Sequence, residues 1–409
     1  MVRFTFWMMS ASSLGFLKLL LLASLLDAES YGRYVVIFGI ATLAGAIVSF
    51  GLIERTIKLY PRSWATGDRA SVLVDARRVA RLVAYRFALL GLAVGVATFA
   101  GWVPYPTSQI VCVCLLGLGA ASLSLFASIY RAVGSRLLLQ KFSFWRSGVA
   151  CISALLGGWA FGWVGAILGD VFAAAITLGH SAVVLNKVFT ECSGEEKPQG
   201  VIRDGADSSS GHGKLYVANM LSAITIMTDR ALVGISLGSA AAGAYGLIML
   251  LPQVFQMVVN VVSQYIGPLI IKSVYIGRRS DSALSTLGLQ GVILAVLSVL
   301  VVFGALFIKH LAIFNAFFVK YDVSDTSVIL AGFIAAGQIY SLIEFHLIAR
   351  DGEGRILVSS LFAASTFFCL FALADYFTLQ VEYFIAAVAI ARWLQVLMLV
   401  MGLLQVSRR

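Results

Sequence analysis

Charge is scarce in this sequence: only 12% of its 409 residues are Asp, Glu, Lys or Arg. A soluble domain of that length needs more polar side chains, because much of its chain must face water. Cysteine offers no framework either. The five thiols, Cys112, Cys114, Cys151, Cys192 and Cys369, are odd in number and scattered, without disulfide or metal-ligand spacing. Cys112 and Cys114 sit two apart and point different ways on a helix. No acid/base or histidine constellation stands beside a sizeable loop, which argues against a membrane glycosyltransferase, acyltransferase or polymerase. No small-residue cleavage site follows the first apolar run, which ends near Leu26, so an uncleaved first span is expected.

What the chain has in abundance is apolar length. It is 60% hydrophobic with a mean hydropathy of +0.93, and its apolar runs repeatedly reach the roughly 20 residues that cross a bilayer core. The pattern predicts an all-α polytopic membrane protein with spans near 4–26, 34–54, 82–103, 107–130, 143–163, 165–187, 214–237, 241–271, 283–308, 326–349, 355–374 and 382–405. The net charge of +10 could suggest nucleic acid, but its placement explains it otherwise. With the N-terminus inside, 23 lysines and arginines fall in cytoplasmic loops and only Arg33, Lys309 and Lys320 outside. That bias obeys the positive-inside rule and puts both termini in the cytoplasm. No loop on the outer side is long enough for a catalytic domain.

The polar stretch 188–213, with Glu191, Glu195, Glu196, Gly200, Gly205 and the run Ser208-Ser209-Ser210, reads as a flexible linker. It divides the chain into six-span halves at 1–187 and 214–409, two parallel lobes around a central cleft. A shift of 211 residues relates the halves, placing Gly32 and Tyr34 on Gly243 and Tyr245.

Charges inside spans are costly and so point to function. The same shift maps Lys18 of the first span onto Asp229 of the seventh. Opposite charges at matching depths could pair across the cleft, or each be satisfied inside its own lobe. Arg230 adjoins Asp229, and Arg392 sits near the middle of the last span, where it needs an anion nearby. Gln253, Gln256, Asn260 and Gln264, spaced three, four and four, share one helix face. Their amides suit sugar hydroxyls, or else join helices together. Asn219, Ser222, Thr225 and Asp229 repeat the pattern on span 7. Arg86 is expected to snorkel to the cytoplasmic interface, Asp170 to cap a helix start, and His346 to be a satisfied histidine.

Two stretches carry a resemblance. Leu26-Asp27-Ala28-Glu29-Ser30-Tyr31-Gly32-Arg33-Tyr34, with Phe50-Gly51-Leu52 after it, resembles the start of polysaccharide flippases. So does Thr228-Asp229-Arg230-Ala231-Leu232-Val233-Gly234, followed by Gly243-Ala244-Tyr245 and by Gly267-Pro268-Leu269. These proteins belong to the multidrug/oligosaccharidyl-lipid/polysaccharide exporter superfamily. The resemblance implies a flippase of the bacterial inner membrane. It would carry an undecaprenyl-diphosphate-linked oligosaccharide, such as an O-antigen unit for lipopolysaccharide, to the outer leaflet by alternating access. Lys18, Arg230 and Arg392 would then offset the diphosphate and the amides meet the sugar. Arg55 and Lys58 would form a cytoplasmic rim, which ordinary loop charge explains equally well. No cofactor is implied. Proton or sodium coupling, membrane lipid and a polysaccharide assembly machinery are the expected partners. A drug or cation antiporter and a lipid II flippase of the same superfamily are the alternatives.

Overall fold

The computed structural model describes residues 2–49, 69–100, 107–132, 136–192, 209–259, 282–310, 318–348, 352–377 and 379–407, with Leu52, Thr56, Tyr60, Ser63 and Arg350. Among them the regular structure is helical throughout. In order come α1 (Val2–Leu25), α2 (Ala28–Ser49), α3 (Arg69–Phe99), α4 (Thr107–Ala132) and α5 (Arg136–Cys192). After them follow α6 (Ser209–Leu237), α7 (Ser239–Ile248), α8 (Ser282–His310) and α9 (Asp325–Ala336). A 3₁₀ turn (Gly337–Ile339), α10 (Tyr340–Ile348), α11 (Glu353–Tyr376) and α12 (Val381–Ser407) complete the chain.

Ten of the described stretches are long and apolar enough to cross a membrane, and Gly291–Phe307 of α8 is a shorter apolar one. One of the ten, Leu138–Lys187, is 50 residues long. It is two limbs rather than one rod, because the backbone leaves helical geometry at Phe161 and Gly162, where Gly162 takes φ 63°. A side chain there would be strained, so glycine supplies the turn. Twelve apolar segments result, the number expected from hydropathy.

Segment edges differ where local chemistry extends a helix. The second span begins at Ala28, not near 34. Asp27 caps it, its Oδ1 accepting the Ser30 amide at 3.3 Å, and Glu29 occupies the first turn and pairs with Arg33 at 2.5 Å. A side-chain acceptor and a carboxylate at a helix start both stabilise that end. The third span likewise starts earlier, at Arg69.

The chain forms two compact units. The first comprises 1–26 and 36–206, and the second 27–35 and 207–409. The expected division at 188–213 therefore misses residues 27–35, which pack with the second unit. The reason is a close crossing within that unit. A Cβ on Gly32 would lie 1.6 Å from the Ser239 carbonyl oxygen, and one on Gly243 would lie 2.3 Å from that of Ala28. The glycines matched by the 211-residue shift thus meet each other, a small-residue contact of the kind that lets membrane helices approach.

In the first unit α1 lies along both limbs of α5, and α3 packs on α4. Val79, Val83 and Phe87 of α3 recur every four residues and meet Ala121, Leu125 and Ile129 of α4. In the second unit α11 packs between α12 and α6. Its core joins Leu342, Ile343 and Leu347 to Val396, Leu399 and Leu403. Other apolar side chains point outward: Leu92, Val96, Ile152, Leu156, Phe303 and Phe307 are each more than 60% exposed. So much exposed apolar surface on fully hydrogen-bonded helices suits lipid, not water.

Candidate functional site

The buried charges are settled differently in the two units. In the first, Lys18 of α1 donates to both oxygens of Asp170 on α5, at 2.9 and 3.1 Å. Both side chains are less than a tenth exposed, and the ammonium also lies 4.9 Å from the centre of the Phe38 ring. Arg146, exposed on the first limb of α5, is within electrostatic reach of the same carboxylate. The expectation that Asp170 caps a helix start is therefore corrected. It stands well inside the second limb and carries the ion pair, since an isolated charge there would be costly. Lys18 thus has a carboxylate inside its own unit, the second of the two arrangements that its charge left open. Arg86 donates from its Nη1 to the Val48 carbonyl near the end of α2, at 3.1 Å.

In the second unit the charges gather around a cavity of about 60 Å³. Asp229 of α6 is buried, its Oδ2 accepting the Tyr245 hydroxyl at 2.8 Å and its Oδ1 the Arg230 amide at 2.6 Å. Arg392 of α12 is buried too. Its guanidinium lies 4.3 Å from the centre of the Tyr340 ring, and its Nη1 donates to Gln395 Oε1 at 2.9 Å. The aromatic face and the amide together hold a cation that the membrane interior would otherwise reject. Gly337 makes the room, because a Cβ there would strike the Arg392 Cγ at 2.7 Å. Glu344 of α10 and Asp229 are both within electrostatic reach of Arg392. The cavity lining itself carries one carboxylate, Asp229, and two arginines, Arg230 and Arg392.

Gln253 and Gln256, from residues 250–259, line the cavity as their spacing suggested. Gln338 on the 3₁₀ turn and Gln395 join them from other elements, giving four amides in the lining. Gln338 Oε1, Gln395 Nε2 and Arg230 Nε are buried without a hydrogen-bond partner among the described residues. Such atoms are free to meet a polar guest. Of the expected site residues, the structure brings together Asp229, Arg230, Gln253, Gln256 and Arg392, and places Lys18 in the other unit. Asn260, Gln264, Arg55 and Lys58 lie outside the described residues. Sequence reading missed Gln338, Gln395 and Tyr340. Gln395 carried a signal, standing three residues after an arginine that needed a partner. His346 was expected to be satisfied, yet its buried Nε2 has no partner among the described residues.

No family model and no curated protein matches the sequence. Solved structures do. An outward-facing multidrug resistance MATE family transporter of the MOP superfamily matches with a TM-score of 0.63 at 15% identity, covering 100% of this chain and 95% of that one. An inward-facing one matches at 0.57 and 13%, covering 98% and 95%. The Vibrio cholerae MATE transporter VcmN, solved as a mutant, matches at 0.59 and 16%, covering 100% and 98%. At these identities the likeness establishes the fold, and it runs the length of the chain: this protein has the MATE transporter fold.

Proposed function

We propose that this protein is a membrane carrier of the MATE type, exporting an organic solute by alternating access in exchange for protons or sodium. One observation carries the reading: the likeness spans the whole chain and extends to structures described as outward-facing and as inward-facing. The cavity fits such a cycle. At about 60 Å³ it has room for only a few waters, so cargo would enter it only after the surrounding helices move apart. The comparisons favour drug or cation antiport over movement of a lipid-linked oligosaccharide, because the matching structures are described as multidrug transporters.

The flippase reading keeps one specific support. Four glutamines and two arginines line one cavity, while Asp229 is already bonded by Tyr245 and by a backbone amide. Amides and guanidinium groups suit hydroxyls and phosphate better than an organic cation. In this reading the chain works in the bacterial inner membrane, with both ends in the cytoplasm and a polysaccharide assembly machinery beside it.

Proteoliposomes separate the two. Organic-cation movement driven by an imposed proton or sodium gradient, with no leaflet transfer of a fluorescent prenyl-diphosphate oligosaccharide, is the expected result. Transfer of the oligosaccharide without cation movement would reverse the order of the readings. Neither activity, from protein that melts cooperatively, would overturn the carrier assignment for these cargoes.

A further inference from the structure

A second and larger cavity, about 280 Å³, lies wholly within the first unit and away from the buried charges. Its walls are aromatic: Trp7 meets Phe144 edge-on at 5.0 Å, and Trp145 faces His180 with ring centres 5.6 Å apart. Lys141 stands in this wall, one turn before Trp145 on α5, and both side chains are exposed. The residues come from one end of the unit: the start of α1, the end of α4 at Tyr130, and the two outer ends of the α5 limbs. Arg3, Arg131, Arg136 and Lys187 stand close to these segments in sequence.

Each feature narrows the occupant. Tryptophan and tyrosine collect where a membrane helix meets the headgroup layer. A lysine at that level attracts anionic lipid. The volume, just under the usual range of about 300–1,000 Å³ for small-molecule pockets, suits part of an amphiphile better than a whole one. We propose that this aromatic cavity is a binding site for an anionic phospholipid, whose phosphate meets Lys141 while glycerol and upper acyl chain lie against Trp7, Phe144 and Trp145. The site holds bilayer lipid at this end of the first unit and takes no part in recognising cargo.

Native mass spectrometry of the full-length protein, titrated with phosphatidylglycerol or phosphatidylcholine of the same acyl composition, tests this. The parent should hold phosphatidylglycerol about fivefold more tightly, the worth of one lysine near an anionic surface. Lys141→Ala and Lys141→Gln should abolish the preference, Lys141→Arg should keep it, and Trp145→Ala should weaken both lipids alike. Because Lys141 is exposed, the alanine and glutamine variants should melt with the parent. Should the alanine variant misfold, the glutamine variant carries the same expectation. Equal binding of the two lipids by the parent, or an unchanged preference in folded Lys141→Gln, would overturn the proposal. Displacement of the lipid by inorganic phosphate would overturn it too, identifying a site for free anions.

Discussion

The two units solve the same problem, an arginine or lysine inside a membrane helix, in opposite ways. In the first, Lys18 and Asp170 close on each other as a two-bond ion pair. In the second, Arg392 rests on a tyrosine face and a glutamine, with its carboxylates at electrostatic rather than hydrogen-bonding range. In the first unit the cation and the carboxylate meet each other directly. A cation held by a ring and an amide keeps donors for something else, and it borders a cavity whose wall has unpartnered polar atoms. Identical charge types thus read as a fastening in one unit and as a receptor in the other.

Breaking the fastening should have the largest effect. Lys18→Ala leaves Asp170 buried without its cation and should cost about 3–5 kcal/mol, read as a fall in thermal midpoint in mild detergent. Lys18→Met with Asp170→Leu should recover part of that loss, since both members of the pair go together while Arg146 loses the nearby carboxylate. Removing Asp229 comes next. Asp229→Ala strands the buried Tyr245 hydroxyl, which should cost about 2 kcal/mol in the same melt. Tyr340→Leu takes the ring from beneath Arg392 and should cost about 1–2 kcal/mol, whereas Tyr340→Phe keeps the ring and most of the stability. The smallest effect on folding belongs to Gln338→Leu. Its Oε1 has no partner to lose among the described residues, so the midpoint should move by no more than about 0.5 kcal/mol equivalent. A change in transport by that variant would mark the wall as cargo-facing.

Much of the fold was legible because hydropathy is written along the chain. The fold-back inside α5 was legible too, as a tight turn near 163, with Gly162 at its bend. Partners across helices were harder to read. Lys18 and Asp170 stand 152 residues apart, and only the packing of α1 along α5 brings them together. A 211-residue shift pointed Lys18 toward Asp229 instead, because repeat symmetry matches positions and does not report contacts. The same shift succeeded at Gly32 and Gly243, where both positions need a small residue for one shared crossing. In the cavity, Gln253 and Gln256 announced themselves by helical spacing within one segment. Gln338 and Gln395 come from two further elements, and no one-dimensional period links them.

Whether cargo is met at the cavity of the second unit is read from initial transport rates in proteoliposomes. Two variants should be compared with the parent at matched thermal midpoints: Arg392→Gln, and the double variant Lys18→Met with Asp170→Leu. The expected result is transport lost in Arg392→Gln and kept in the double variant. Transport kept by Arg392→Gln and lost from the folded double variant would contradict the account and move the cargo site to the Lys18–Asp170 pair.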